Sequence, residues 1–333
     1  MKEVSRELFE YDVRCYLVSQ CKKSVLTSLE RIYLKQIQRD VAINVLVNGR
    51  WGCYRRQTVR DTAMTRIFRG MSRRNTNLKN LDVRYISLAE TDFNNYGVEK
   101  TALDYSAITS GGDRVVGLAS GDVKTSEISP DPELQWKLPV GFSLEGGTTL
   151  PYAFTMANLV MRDLPDPGGA KKTVLVHSGH SPIGTTCIAI ALNEGHSVYT
   201  TVPDDPAKEQ ILRNFPQIPE SRITDYNNKN FFVPLMIGTG GLGADLIISD
   251  LPREQMIASW QCIARKGCFV NLNESVLAHN APLPMRYFDG MTAFYSFKSA
   301  DLLAFAPERK RRLHKLVDDC LKTGGIVKSR IEP

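Results

Sequence analysis

From residue 173 onward, short apolar runs alternate with segments of helical periodicity, and no other feature of the chain constrains the fold as strongly. Strands that alternate with helices form a parallel sheet covered on both faces, and right-handed crossovers make that sheet doubly wound. The sequence therefore predicts an α/β fold with a doubly wound parallel Rossmann sheet. The predicted strands are 173–178, 197–202, 245–249 and 268–272, and the predicted helices are 183–192, 206–215 and 253–264.

The region before this alternation differs, because turn residues rather than helices separate its apolar runs. Residues 41–47 form a strand-like run, Asn48-Gly49 is a hairpin signal, and residues 50–55 continue as the return strand. Further strand-like runs cover 81–88 and 114–119. We therefore predict a β-rich domain ahead of the Rossmann sheet, and a helical segment at the start of the chain.

The composition, 42% hydrophobic and 23% charged over 333 residues, is globular and excludes disordered and collagen-like classes. The net charge of +6 is uneven, because residues 31–80 contain 12 Lys and Arg against the two acids Asp40 and Asp61. Such a window could be a phosphate footprint, but no nucleic-acid motif accompanies it. We expect no nucleic-acid partner, and instead a solvated face or one that meets an acidic carrier protein.

Seven scattered cysteines without a CxxC pair argue against a disulfide framework and a zinc site, and they fit a reducing compartment. The five histidines show no metal-ligand spacing. No apolar run reaches the ~18 residues of a membrane span, and no signal-peptide pattern begins the sequence. We therefore expect a cytoplasmic protein without a metal or a membrane partner.

The turn after the first strand of the parallel sheet is where a dinucleotide pyrophosphate would bind. Here it contains Gly179, suited to the tight turn, and Gly184, suited to close packing of helix against strand. Pro182 fits the first helical position but removes one N–H that could point at phosphate. This loop alone is consistent both with a nucleotide site and with a sheet that merely keeps the fold.

The residues after the second strand bear on the choice of dinucleotide. An acid at this place binds the ribose hydroxyls of NAD, whereas a basic residue accommodates the 2′-phosphate of NADP. Asp204 and Asp205 occur here, but they are also suited to the N-terminus of a helix. Lys208 or Arg213 could meet a 2′-phosphate, so both alternatives stay open.

Nine ordered blocks between residues 41 and 327 resemble the enoyl-reductase region of animal fatty acid synthase, most like the insect form. That region belongs to the medium-chain dehydrogenase/reductase superfamily. The blocks are NGRWGCYR at 48–55, VRYISL at 83–88, LPYAFTMA at 150–157, VLVHSG at 174–179, AIAL at 189–192, VYTTV at 198–202, NFPQI at 214–218, GLGADLI at 241–247 and QCIARKGCF at 261–269.

The resemblance implies NADPH-dependent reduction of a trans-2-enoyl thioester carried on an acyl carrier protein, with hydride delivered to C3. It also implies a GroES-like substrate domain beside the Rossmann domain, and pairing of two copies through the Rossmann sheet. With it the predicted organisation is a helical segment at 1–38, the substrate domain at 39–165, the Rossmann domain at 166–275 and a partial return to the substrate domain at 276–333. The family continues further, so the C-terminus is expected to be truncated.

The resemblance also assigns site residues. The implied cofactor-binding residues are Thr155, Gly179, His180, Ser181, Ile183, Gly184, Thr201 and Lys208. The implied catalytic residues are Tyr85, which keeps the start of a Tyr-x-Ser motif, together with Lys298 and Asp301 near the place of the family's catalytic aspartate.

Three departures from the family pattern affect the expected activity. Ser181-Pro182 replace two glycines, residues 89–91 lose the Asn-Phe-Arg of the Tyr-x-Ser motif, and Glu274 stands where the family has its candidate proton-donor lysine. Losing one donor to a developing oxyanion costs about 10²–10³ in rate. The alternative to an enoyl reductase is therefore a catalytically inactive module with a structural or dimerisation role. The basic run at 309–315 is expected to be a solvated helix face.

Overall fold

The computed structural model describes residues 42–47, 50–55, 77–78, 81–88, 101–122, 127–164, 171–228, 230–274, 276, 283 and 285–323. The chain divides into two compact units, residues 1–74 and 75–333. In the first unit, β1 (Ala42–Val47) pairs antiparallel with β2 (Arg50–Arg55), which confirms the predicted hairpin. The predicted N-terminal helical segment, most of the basic window, the motif positions 89–92 and the chain end at 324–333 lie outside the described residues.

The second unit contains a five-stranded antiparallel sheet in the order β3-β4-β5-β6-β7. Its strands are β3 (Asn77–Leu78), β4 (Leu81–Leu88), β5 (Thr101–Thr109), β6 (Arg114–Asp122) and β7 (Glu127–Lys137). β4 and β6 confirm predicted strands, whereas the sequence pattern does not predict β5 and β7. Pro130 and Pro132 interrupt β7, which lies at the sheet edge, where proline is tolerated.

Two short helices connect this sheet to the next. They are α1 (Leu144–Gly147) and α2 (Leu150–Asn158), and α2 continues as a π-helical turn, Leu159–Asp163. Every residue of α2 is buried, as expected for a helix that is apolar on all sides. α2 packs against the first helix of the Rossmann sheet and so links the two sheets of this unit.

The second sheet has six strands, all parallel, in the order β10-β9-β8-β11-β12-β13. Its strands are β8 (Thr173–Val176), β9 (Ser197–Val202), β10 (Ile223–Asp225), β11 (Ala244–Ser249), β12 (Ile263–Asn271) and β13 (Ala293–Ser296). Its helices are α3 (Pro182–Asn193), α4 (Asp205–Asn214), α5 (Val233–Gly238) and α6 (Arg253–Ser259).

This topology confirms the predicted α/β fold with a doubly wound Rossmann sheet and a separate antiparallel sheet. Alternate residues of a strand face opposite helical layers, so Val174 and Val176 join one apolar core while Leu175 joins the other. The strand order reverses between β8 and β11. Ligands of open α/β sheets bind at the carboxyl ends of the strands beside such a reversal.

The helix predicted at 253–264 is wrong at its C-terminal end. α6 ends at Ser259, a 3₁₀ turn covers Trp260–Cys262, and β12 begins at Ile263. Ile263 pairs with Ala244 of β11, and this strand pairing overrides the helical preference of the segment.

The chain then forms α7 (Asp301–Ala304) and α8 (Pro307–Thr323). The solvated face predicted at 309–315 is only partly right, because Arg311, Arg312 and Lys315 are exposed while the stretch is also ion-paired to other elements. Arg309 Nε lies 2.6 Å from a fully buried Asp163 carboxylate, and Lys310 Nζ lies 2.5 Å from Asp131 of β7. The acids come from distant parts of the chain, so sequence spacing does not reveal them.

Within the described ranges, no helix is both long and apolar enough to cross a membrane. The same residues contain no cluster of His, Cys, Asp and Glu that could hold a metal ion. Cys187, Cys262, Cys268 and Cys320 are buried free thiols.

Candidate active site

The turn from β8 into α3 is tightly fixed by its two glycines. Gly179 donates its N–H to the Thr201 carbonyl of β9 at 3.0 Å, and a Cβ at this position would lie 2.0 Å from the Thr200 hydroxyl. A Cβ at Gly184 would lie 2.4 Å from the Ser178 carbonyl oxygen. Both positions therefore require glycine, and the loop lies against the end of β9.

The first turn of α3 leaves two donors for a ligand. Ser181 is the N-cap, and its hydroxyl accepts the Gly184 N–H at 3.1 Å, while Pro182 has no N–H. The N–H groups of His180 and Ile183 have no hydrogen-bond partner in the part of the chain that the structure describes. These amides lie at the positive end of the helix dipole, where an anion is stabilised.

Two buried polar atoms, one in this turn and one on the helix α2 that packs against α3, also lack a partner among the described residues. They are the hydroxyl oxygen of Thr155, a residue of α2 with 0% exposure, and Nδ1 of His180. Buried polar groups are almost always hydrogen-bonded, so an unpaired one indicates a missing partner. Two orphaned polar atoms, two available amides and a glycine cradle together fit a dinucleotide in this turn.

The residue before this loop's tight turn, His177, is buried and hydrogen-bonded at both ring nitrogens. His177 Nδ1 lies 2.9 Å from the Thr201 hydroxyl, and its Nε2 lies 2.8 Å from the Ser259 hydroxyl. Ser259 donates its proton to the Gln255 carbonyl, so Nε2 donates to Ser259 and Nδ1 accepts from Thr201. Burial lowers the pKa of His177 to about 3, and the ring is neutral. The hydroxyl of Thr201, a predicted cofactor-binding residue, thus donates its proton to His177.

The end of β9 carries the residues predicted to contact the adenosine ribose. Asp204 is the N-cap of α4, and its carboxylate accepts the Ala207 N–H at 2.9 Å. This confirms the helix-terminal role that its position indicates. Lys208 Nζ lies 2.8 Å from a carboxylate oxygen of Glu220, so the predicted phosphate ligand is ion-paired.

The carboxyl ends of β12 and β13 hold the predicted catalytic residues Lys298 and Asp301. Asp301 accepts the Lys298 backbone N–H at 2.8 Å and so closes a turn before α7. Glu274 is 8% exposed and accepts the Ser299 N–H at 2.5 Å. The structure therefore brings Glu274, Lys298 and Asp301 together around one turn, with a buried carboxylate where the resemblance expects an ammonium.

Tyr85 belongs to the antiparallel sheet, whereas this turn follows a strand of the parallel sheet. It is half-buried on β4 of the antiparallel sheet, directly after a register shift that follows Val83. Such a bulge re-aims side chains and is common beside active sites.

Sequence reasoning missed Asp104 of β5. Its carboxyl group is buried, accepts the Tyr152 N–H of α2 at 2.8 Å, and has a pKa raised well above its usual value by burial. It ties the first turn of α2, the helix that carries Thr155, to the antiparallel sheet. The signal was an acid inside the apolar run 102–107.

No family model matches the chain. Among curated proteins, it is 31% identical over 208 residues to the highly reducing polyketide synthase pspA of Penicillium soppii, covering 62% of this chain and 8% of that protein. It is 32% identical over 215 residues to the highly reducing polyketide synthase anuA of Penicillium roqueforti, covering 63% and 10%. The chain thus spans a tenth or less of these relatives. They are fungal polyketide synthases, which corrects the expected relationship to an animal fatty acid synthase.

Solved structures share the fold. The CurK enoyl reductase superposes with a TM-score of 0.55 at 20% identity, covering 68% of each chain. Mycobacterial Rv1454c complexed with NADPH gives 0.56 at 19% identity, covering 71% of this chain and 75% of that one. The chain therefore shares the α/β fold of these structures, with a parallel Rossmann sheet and an antiparallel sheet.

Proposed function

We propose that the chain is an enoyl-reductase region of a polyketide-synthase-type multienzyme, which reduces a trans-2-enoyl thioester held on an acyl carrier protein. The observation that carries this proposal is the turn at the end of β8, with its two available amides beside the reversal of strand order. The similarity to highly reducing polyketide synthases supports the thioester substrate, since such synthases extend acyl chains on a carrier.

A nicotinamide dinucleotide supplies the hydride for C3 of the enoyl group. In this proposal the His180 and Ile183 amides bind the pyrophosphate, and Gly179 and Gly184 keep the turn tight. The unpaired Thr155 hydroxyl holds the nicotinamide end. The sequence predicts NADPH as the dinucleotide, and the solved Rv1454c structure contains NADPH.

The remaining chemistry is to stabilise the enolate and to deliver a proton to C2. Lys298 is the cation of the turn before α7, and Asp301 positions it by holding its backbone N–H at 2.8 Å. Glu274 places a carboxylate in the same turn, so negative charge opposes the developing enolate. We therefore propose that the enoyl thioester is reduced slowly, with Lys298 as the proton donor. Tyr85, on the antiparallel sheet, would face the substrate.

The test is oxidation of reduced dinucleotide by a crotonyl thioester of pantetheine. Wild type is expected to turn over slowly, and Lys298→Met to lose that activity while binding the dinucleotide as before. Turnover unchanged in Lys298→Met would remove Lys298 from the mechanism. Wild-type binding without any turnover would remove the catalytic proposal.

The second candidate, a catalytically silent module that pairs two copies, is favoured by Glu274 and Pro182. β13 is the edge strand of the parallel sheet in the described order, so it offers backbone groups for pairing with a second copy. Light scattering of the purified chain, with and without Tyr295→Pro in β13, tests the dimer. A dimer that persists in the variant would exclude pairing through this edge.

A further inference from the structure

We infer that the dinucleotide site of this chain selects NADH over NADPH, because carboxylates surround its adenosine ribose and the lysine there is already ion-paired. The inference rests on the proposed function, and it departs from the NADPH that the family resemblance implies.

The end of β9 is placed beside the phosphate turn by a direct contact, the Gly179 N–H to Thr201 carbonyl bond of 3.0 Å. In Rossmann folds, the residue that follows the glycine turn by about 20 positions contacts the ribose, an acid binding the 2′-hydroxyl and an arginine accommodating a 2′-phosphate. Asp204 follows Gly184 by 20 positions. The ribose of a dinucleotide bound at this turn therefore meets Asp204.

Three exposed carboxylates lie at this end of the sheet. Asp204 uses one oxygen to cap α4, and its other oxygen has no partner within the described ranges. Asp205 follows it in the first helical turn. Asp225, the last residue of β10, lies in register with Val202 of β9. Carboxylates accept hydrogen bonds from ribose hydroxyls, whereas they repel a phosphomonoester of charge about −1.5 to −2.

The described cations do not offset these carboxylates. Lys208 is held by Glu220 at 2.8 Å, and the pKa of Glu220 is lowered by this lysine. Arg213 lies eight residues along α4 from Asp205, about 12 Å away along the helix axis. Arg222 donates to the Ser197 hydroxyl at the opposite end of β9. Lys229 lies outside the described residues and is therefore included in the test.

The test is a titration of the purified chain with NADH and with NADPH, followed by nicotinamide fluorescence. Calorimetry with 5′-AMP and adenosine 2′,5′-bisphosphate measures the ribose end separately from any turnover. We expect NADH and 5′-AMP to bind about tenfold or more tightly than their 2′-phosphorylated counterparts, with a smaller ratio at high salt.

Two variants should each lower the preference for NADH over NADPH, one by removing a carboxylate charge and the other by releasing a lysine. Asp204→Asn keeps the helix cap and removes the charge, so it should weaken NADH and strengthen NADPH. Glu220→Gln releases Lys208 and should strengthen NADPH several-fold. Glu209→Gln, an exposed position on the same helix, is the matched control for loss of one negative charge and should leave the ratio near that of wild type.

The outcomes separate the two proposals. Failure of both dinucleotides to bind would overturn the proposed function and this inference with it. Binding of NADPH as tightly as NADH, or more tightly, would overturn this inference alone. If Lys229→Gln then reversed that preference, it would identify Lys229 as the residue that supplies the cation.

Discussion

The two ends of the candidate site differ in how much of the expected chemistry they keep. At the end of β8, glycines occupy both positions where a Cβ would come within 2.4 Å or less of another atom, and the loop leaves amides available. At the ends of β12 and β13, a buried carboxylate occupies the place of the expected ammonium. The proposed binding end and the proposed catalytic end can therefore be tested with separate variants.

The largest effect expected of a substitution is at the catalytic end. Glu274→Lys replaces the opposing carboxylate by a donor, and we expect the rate of enoyl-thioester reduction to rise about 10²–10³-fold, equivalent to roughly 2.7–4 kcal/mol. Steady-state kinetics at saturating dinucleotide measures it. Because a buried lysine could disturb the turn, Glu274→Gln is the companion variant, which keeps an acceptor for the Ser299 N–H and should recover part of the gain. No gain in either variant would show that Glu274 does not limit the reaction.

The next effect is at the binding end. Gly184→Ala places a Cβ against the Ser178 carbonyl, and we expect it to cost about 1–3 kcal/mol of unfolding free energy and to abolish dinucleotide binding. Urea denaturation and fluorescence titration measure the two effects. Gly111→Ala is the matched control, since its nearest neighbour would be 3.7 Å away. Tight binding by Gly184→Ala would contradict the assigned geometry of the turn.

The buried His177 next to the turn should make the free energy of unfolding depend on pH. Burial lowers the pKa of His177 to about 3, against an ordinary value of 6.5. Between these two pH values the histidine is protonated in the unfolded chain but neutral in the folded chain. Stability should therefore fall by about 1.4 kcal/mol per pH unit from near pH 6.5 towards pH 3 from this residue. Denaturation at several pH values measures the slope, and histidine NMR shows directly whether the ring titrates. A His177 resonance that titrates near pH 6.5 would contradict the buried network.

The smallest effect concerns the orphaned hydroxyl on α2. Thr155→Val is nearly isosteric and removes the unpaired buried hydroxyl, so it should stabilise the unliganded chain by about 1 kcal/mol and weaken dinucleotide binding. Thr186→Val is the control, since the Thr186 hydroxyl already donates to the Pro182 carbonyl. A Thr155→Val chain that is less stable than wild type would mean that the hydroxyl has a partner without the ligand.

The sequence predicts the parts of the fold that depend on local periodicity. The strand–helix alternation identifies β8, β9, β11 and the helices α3 and α4, because residues two or 3.6 positions apart define a buried face. It identifies the second half of β12 but misses the start of this strand, where pairing with β11 overrides a helical pattern.

Contacts between distant residues could not be predicted in this way. The His177 to Ser259 bond joins positions 82 residues apart, and the ion pairs of α8 join it to β7 and to the turn after α2. Neither follows from spacing along the chain, since each depends on how sheets and helices pack. The site residues Gly179 and Gly184 were accessible to sequence reasoning because a tight turn requires them, whereas the pairing of Lys208 with Glu220 was not.

The most direct measurement of the contrast between the two ends is calorimetric titration of the wild-type and Glu274→Lys chains with reduced nicotinamide dinucleotide. We predict saturable binding to one site with the same Kd in both chains, because the turn after β8 is unchanged. Absence of binding up to millimolar dinucleotide in the wild type, or binding that appears only in Glu274→Lys, would contradict the claim that this chain keeps its binding end.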